Sequence, residues 1–207
     1  EQPPRGIQDN LGFESLTLEP VSLAAAKGDP FRLFTATEYA LFQDLLPPPE
    51  SQPESQQPIR LRMMQYLIGD ATPTLLVSEH LYLLDPAPSG TIANGLTDLV
   101  TLDTAGHFLS LERTYGLSGA GAKIYQLATG SATDTSSIAS LKGDVSRIEP
   151  VKKKLLLDLS ELGIYLDNLE GITLGPRLSD GTQSLLLVSD DNFNEDQVTQ
   201  FLLFRLE

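Results

Sequence analysis

Six acidic residues recur at matching places beside short apolar runs. Glu14 opens ESLTL, Asp98 opens DLVTL and Glu170 opens EGITL, while Glu38 ends LFTATE, Glu112 ends HFLSLE and Asp190 ends LLLVSD. FESLTLEP (13–20) aligns without gaps to LEGITLGP (169–176), and TDLVTLD (97–103) fits the same frame. The pattern is thus carboxylate, strand, turn, strand, carboxylate, three times over. In an antiparallel hairpin the start of the first strand lies beside the end of the second, so each pair of acids shares one end of a sheet. Like charges gathered there repel unless a cation or a hydrogen-bond network holds them. The chemistry offered is oxygen ligation of a hard cation such as calcium; the plain alternative is strand-terminal acids facing water.

The stretch LVSDDNFNEDQ (187–197) looks at first like a local calcium loop, with Asp190, Asn192, Asn194 and Asp196 at alternate positions. An EF-hand needs Gly sixth and a bidentate Glu twelfth, and counting from Asp190 gives Glu195 and Phe201. Phe201 begins QFLLFRL, which reads as a closing strand rather than a helix. The stretch is therefore either a polar turn between strands or one sector of a larger acidic rim.

Composition narrows the partners. Lys+Arg number 14 against 28 Asp+Glu, a formal charge of −14, so nucleic acid and anionic membranes are disfavoured and cations are favoured. Without cysteine, disulfides, thiol catalysis and Cys-based zinc sites are ruled out. No apolar run approaches the ~18–20 residues of a membrane span, so membrane insertion is not expected. The chain starts at Glu1 with no initiator Met and no apolar signal core in EQPPRGIQDN, which suggests earlier sequence removed by processing or by a boundary.

These acids must be positioned by strands. Eleven β-type runs separated by Gly, Pro, Asp and Ser clusters predict an all-β fold: FESLTLEP, RLFTATEYA, IRLRMMQYLI, TLLVSEHLYLL, DLVTLD, HFLSLERTY, KIYQLA, KKKLLLDL, LEGITL, SLLLVSD and QFLLFRL. KKKLLLDLSELG could open a short helix, and LAAAKGD (23–29) a helical turn. Residues 46–58, LPPPESQPESQQP, cannot form a central strand and read as a Pro/Gln-rich surface loop. Runs 60–68 and 74–84 would be third and fourth strands of the first unit, 122–128 and 151–158 those of the second, and 199–206 the third strand of the last. Four-stranded antiparallel units of this length suggest β-propeller blades, here two and most of a third, hence an incomplete ring and a C-terminal fragment of a larger propeller.

GFESLTLEP with LFTATE, GLTDLVTLD with HFLSLERTY, ATDTSSIASLKG, PVKKKLLLDL and the long DNLEGITLGPRLSDGTQSLLLVSDDNFNEDQVTQFLLFRL together resemble the phytase-like domain family, described as having esterase-like activity of phytase. The similarity runs from Gly12 to Leu206 and covers the family's later portion, which makes 1–207 a single partial domain; Ser15 replaces a Gly often found after the first Glu. The resemblance implies a β-propeller, usually exported to the extracellular or periplasmic space, with ester or phosphoester hydrolysis. By fold analogy it also implies calcium.

On that footing Glu14, Glu38, Asp98, Glu112, Glu170 and Asp190 are the expected catalytic rim, with Glu170, Asp190, Asp191 and Asn192 as metal ligands. A small anionic or ester substrate would be bridged by calcium while metal-bound water attacks, and Arg113 could hold a phosphate, unless it simply pairs with a neighbouring acid. A serine esterase is poorly matched: GLSGA (116–120) lacks the second Gly of a nucleophile elbow, and only His80 and His107 could serve as bases. GAGAK precedes no helix pattern and is no nucleotide loop. The alternative function is a non-catalytic propeller that binds at its acidic rim, with calcium only structural.

Overall fold

A computed structural model describes residues 3–20, 28–46, 57–70, 72–117 and 119–206. Eleven strands make up nearly all of its regular structure: β1 (Phe13–Leu18), β2 (Phe31–Thr37), β3 (Ile59–Gly69), β4 (Thr72–Leu84), β5 (Thr91–Thr101), β6 (His107–Gly116), β7 (Gly119–Ala128), β8 (Lys152–Asp158), β9 (Leu169–Arg177), β10 (Gln183–Ser189) and β11 (Phe201–Leu206). Each corresponds to one of the eleven runs expected from alternation. KKKLLLDLSELG divides into β8 and a 3-10 turn, Leu159–Leu162, which the Asp158 carboxylate caps through the Ser160 amide and Gly163 ends at φ 67°. Most of LAAAKGD, and 47–56 of the Pro/Gln-rich loop, lie outside the described residues. No helix among the described residues is long and apolar enough to cross a membrane.

The strands form three antiparallel sheets, ordered β1-β2-β3-β4, β5-β6-β7-β8 and β9-β10-β11, and the sheets do not close on one another. The first strands β1, β5 and β9 lie side by side across the sheets. We call the face of a sheet turned to the next sheet in chain order its front and the opposite face its rear.

Two-residue periodicity makes the middle sheet apolar on both faces. On β6, Phe108 turns to the rear and joins Leu96, Leu99, Tyr125 and Leu127 against Phe34, Ala36, Leu61, Met63, Tyr82 and Leu84 of the first sheet. Leu109 and Leu111 turn to the front and join Ile124 against Leu169, Ile172, Leu185 and Leu187 of the third. Phe34 and Phe108 meet edge to face with ring centroids 4.8 Å apart at 72°, a geometry worth about 0.5–1.5 kcal/mol beyond burial. Full burial of each Leu or Phe in these layers contributes roughly 1.5–3 kcal/mol.

The irregular segment between β7 and β8 closes over the free edge of the first sheet. Thr135 and Val151 donate backbone hydrogen bonds to the β4 carbonyls of Glu79 and Leu81, which pairs part of an otherwise open edge. Beneath it Arg62 is buried between Asp44 (2.6 Å) and Glu79 (2.5 Å), and the Leu141 amide bonds Asp44 Oδ1 at 2.6 Å. Every acid in this cluster has a donor, as burial of charge requires.

Asp98 ties the sheets together at their first strands. Its carboxylate accepts the amide of Leu99 on β5 and the amide of Ile172 on β9, both at 2.8 Å. Burial raises its pKa, opposed by the backbones of Ile172, Leu99 and Leu16, so all three first strands act on one side chain. Asp98→Ala leaves the Ile172 amide unpaired and is expected to cost roughly 1–3 kcal/mol in urea unfolding, with Asp98→Asn losing less because it keeps one acceptor. Equal stability of Asp98→Ala and the parent would show that this bridge contributes nothing.

Candidate functional site

Each first strand carries a β-bulge near the acids, at the start of β1 and β9 and in the middle of β5. In β1 the pairing with β2 skips Glu14, between Phe13↔Thr37 and Ser15↔Ala36. In β9 it skips Glu170, between Leu169↔Ser189 and Gly171↔Val188. In β5 the skipped residue is Thr97, between Leu96↔Glu112 and Asp98↔Leu111. A bulge re-aims side chains, and a shift of one residue exchanges the faces of a strand.

Superposed on their bulges, the three units therefore match Glu14 with Thr97 and Glu170, and Glu38 with Arg113 and Asp190. This corrects the gapless frame, which placed Asp98 and Glu112 in the middle unit. Burial follows the corrected frame: Leu99 and Ile172, the counterparts of Leu16, are both buried between sheets.

Three of the corrected set, Glu38, Arg113 and Glu170, meet where the sheets meet, whereas Thr97 bonds backbone carbonyls and neither Glu14 nor Asp190 lines the cleft. Glu38 reaches from the first sheet to Arg113 of the second, Oε1 to Nη2 at 3.0 Å. The same Nη2 lies 3.6 Å from Glu170 Oε1 of the third, which also accepts from Asn168 Nδ2 at 2.7 Å. Glu38 is fixed through its backbone as well, donating to Gly12 O at 2.8 Å and accepting from Leu96 N at 3.0 Å. Gly95 is needed beside it, because a Cβ there would stand 2.5 Å from Glu38 Cγ.

These side chains line a cleft of ≈ 380 Å³, together with Tyr115, Asn168, Asn192, Asn194 and Gln197. Arg113 Nε is the one buried side-chain nitrogen or oxygen among the described residues that lacks a hydrogen-bond partner. Burial raises the pKa of Glu38; Arg113 opposes the shift, and Glu14 and Glu170 add to it. A carboxyl poised in this way beside a cation suits proton transfer.

The 190–198 loop brings amides to the cleft mouth and is tightly scaffolded. Asp190 Oδ1 accepts the Asn192 amide, Asp191 Oδ1 the Phe193 amide, and Asn194 Oδ1 the Asp196 amide, all at 3.0–3.1 Å. Asn192 and Phe193 sit at φ 50° and 54°, the left-handed region that such turns use. Asp167 then anchors the loop, accepting from Val198 N at 2.7 Å and Gln197 Nε2 at 3.1 Å. Burial acts to raise the Asp167 pKa, but these donors outweigh it and hold the carboxyl below the ordinary range. Asp167 and Asn168 were not singled out from the sequence, although a DN pair before a strand is a turn signal.

Among the described residues, no three His, Cys, Asp or Glu are grouped to hold a metal ion. Of the expected ligands, Asp190 and Asp191 spend oxygens on backbone turns, Asn192 Nδ2 bonds Gln197, and Glu170 bonds Asn168. A guanidinium stands between Glu38 and Glu170 where a calcium would have to sit. In this arrangement the residues do not fit a calcium cage.

The other expected rim acids are not brought to the cleft. Asp98 serves the amides described above, and Glu112 faces the first sheet, bonded to Tyr82 and Lys153. It lines a separate ≈ 240 Å³ cavity with Asp85, Lys123 and Asp158. Glu14 is exposed but close enough to Glu38 to influence its charge. His80 bonds Thr133 O, and His107 pairs with Asp103 at 2.7 Å; neither lines the cleft. Ser118 of GLSGA lies outside the described residues, and GAGAK begins β7 with no helix following.

The raised pKa of Glu38 has a signed effect on stability. Between the ordinary carboxylate value of 4.5 and its raised value, the folded state binds more protons than the unfolded chain, so this group's contribution falls as pH rises. Relative to Glu38→Gln, the parent should lose stability as pH increases through that window. A pH-independent difference in urea midpoints would show that Glu38 titrates normally.

The family model for Phytase-like, esterase-like activity of phytase, matches residues 1–193. No curated protein and no solved structure matches the chain. With the match covering most of its length, the chain belongs to the Phytase-like family, described as having esterase-like activity of phytase.

Proposed function

We propose that this protein is an ester or phosphoester hydrolase whose site is the cleft shared by Glu38, Arg113 and Glu170. Family membership supports an esterase- or phosphatase-like hydrolase. The observation that carries the residue assignment is the buried pair of Glu38, with its raised pKa, and Arg113, with its unpartnered Nε.

An anionic phosphoryl or carboxyl group entering the cleft competes with Glu38 for the guanidinium, which suits planar, bidentate recognition of such groups. Loss of Arg113 as its partner raises the Glu38 pKa further and favours the protonated acid. Glu38 then donates its proton to the leaving-group oxygen as water attacks phosphorus or carbonyl carbon. The ester C–O or P–O bond breaks, the attacking water releases a proton to solvent as it bonds the phosphorus or carbon, and the Glu38 carboxylate takes a proton back from solvent. Glu170, fixed by Asn168 Nδ2, stands by the same Nη2 as Glu38, and Asn192 and Asn194 face the substrate from the loop.

The three sheets are read as successive blades of a propeller sector, with the cleft at one end of their adjoining first strands. That reading is supported by the side-by-side β1, β5 and β9 and by their shared bulges. Export to the extracellular or periplasmic space belongs to the same proposal.

Turnover of p-nitrophenyl phosphate and p-nitrophenyl acetate tests the assignment. Glu38→Gln is expected to lower kcat about 100-fold or more with little change in KM, and Arg113→Ala chiefly to raise KM. Parent-like kinetics in both variants would remove the cleft from catalysis and leave a non-catalytic binding module.

Calcium is a separate proposal, and no step above uses it. Glu14 and Glu170 could bind a cation only if Arg113 withdrew toward the substrate anion. Calcium should then raise Tm in the parent and not in Glu170→Gln, whereas an unchanged Tm in the parent would remove the metal.

A further inference from the structure

The cleft of Glu38, Arg113 and Glu170 is lined chiefly by neutral amides. Six of its twelve lining residues carry a side-chain amide, whereas the ≈ 240 Å³ cavity beside Glu112 has Asn94 alone. They come from four places in the chain: Asn10 before β1, Asn94 on β5, Asn168 before β9, and Asn192, Asn194 and Gln197 on the 190–198 loop. Folding uses only part of these groups. Asn94 Nδ2 donates to Asp85 O, Asn168 Nδ2 to Glu170 and Asn192 Nδ2 to Gln197, and among the described residues the amide oxygens of all three stay unpaired. Asn194 is the reverse: its Oδ1 accepts the Asp196 amide, and its Nδ2 is left over.

Small-molecule pockets are usually apolar with a few polar groups, and this lining has the opposite balance. A hydroxyl both donates and accepts, so a hydroxyl-rich ligand satisfies the spare oxygens and the spare N–H groups alike. Tyr115 lines the same cleft at 46 % exposure with Tyr165 near it, which offers an apolar ring face to the C–H side of a sugar. Arg113 is the one cationic side chain of the lining, set against two carboxylates. A single guanidinium matches a single phosphoryl group, and further phosphoryl groups would meet Glu38 and Glu170. We propose that the cleft takes a carbohydrate monophosphate as its substrate, with the phosphoryl group on Arg113 and free hydroxyls on Asn94, Asn168, Asn192 and Asn194. This names the substrate class of the hydrolase reading above and rests on it. Water then bonds phosphorus and releases a proton to solvent, the P–O bond to the sugar breaks, and Glu38 protonates the sugar oxygen, giving free sugar and inorganic phosphate.

Binding calorimetry on Glu38→Gln, which leaves ligands uncleaved, tests the proposal with glucose 6-phosphate, phenyl phosphate and inositol hexakisphosphate. Phenyl phosphate keeps the phosphoryl group and has no free hydroxyl on its ring. Glucose 6-phosphate should bind about tenfold or more tightly than phenyl phosphate, and adding Asn94→Ala or Asn194→Ala should cut that ratio about three- to tenfold. Inositol hexakisphosphate should bind more weakly than glucose 6-phosphate. Equal affinity for glucose 6-phosphate and phenyl phosphate overturns the proposal, as does a preference for the hexakisphosphate or a ratio that survives both substitutions. If one amide variant fails to fold, the other decides. Turnover by the parent separates this proposal from the reading beneath it. A parent that cleaves p-nitrophenyl phosphate, with no binding preference for the sugar ester, overturns the carbohydrate and keeps the hydrolase. A parent that prefers glucose 6-phosphate in binding yet cleaves neither ester overturns the hydrolase and keeps the recognition.

Discussion

The middle sheet packs a core against each of its faces, and that constraint organises the rest. Because successive residues of β6 point to opposite sides, Phe108 and Leu109 must serve two different cores. A strand in that position tolerates no slip, since moving it by one residue would exchange the two apolar sets. The first strand of each sheet nevertheless has to leave the pleated register where the chain turns toward the site. A bulge does this, keeping the apolar layers aligned while re-aiming the charged residues beyond them. Packing and site geometry therefore depend on the same three extra residues, Glu14, Thr97 and Glu170.

Much of the fold was legible because its signals are local and repeated. Alternation marks all eleven strands, Gly, Pro and Asp mark the turns, and duplication groups the strands into sheets. The bulges were not legible, because an extra residue in a ladder leaves no mark in residue type. A gapless frame put Asp98 where Glu14 and Glu170 stand, since a carboxylate looked the better match than Thr97. The apolar residues gave no contrary signal, since the gapless frame lines up Val100 and Leu102 with Leu16 and Leu18 where the shifted frame offers Leu99 and Thr101. At the second strand the same slip selected Glu112 in place of its neighbour Arg113, and so turned a mixed-charge site into an all-acid rim.

That difference changes the electrostatics more than the topology. An all-acid rim in a chain of charge −14 would demand a cation. With Arg113 between Glu38 and Glu170, part of the charge is balanced from within. The loop acids that seemed to complete a ligand set are used instead to bend the backbone and to hang the loop from Asp167. Short Asp and Asn side chains stabilise such turns by bonding amides two residues on, so an alternating acidic stretch is as much a folding signal as a binding one.

Three buried or half-buried cations can be compared directly, and the comparison separates scaffold from site. Arg62 donates from Nε, Nη1 and Nη2 to Asp44, Glu79 and the Ile138 carbonyl, leaving no nitrogen idle. Lys153 places its ammonium on Leu83 O, Asp85 and Glu112, three acceptors for three protons, and lies 4.0 Å from the Tyr125 ring centroid. In both, every nitrogen has an acceptor within the packed layers, where a missing partner would cost stability. Arg113 is different in kind. Its Nε is buried without an acceptor, Nη2 is shared unequally between two glutamates, and its side chain faces a cleft. An incomplete set of acceptors around a fixed cation carries an energetic cost in the free protein, and an entering anion removes it. Of the three clusters, only this one leaves a buried nitrogen without an acceptor.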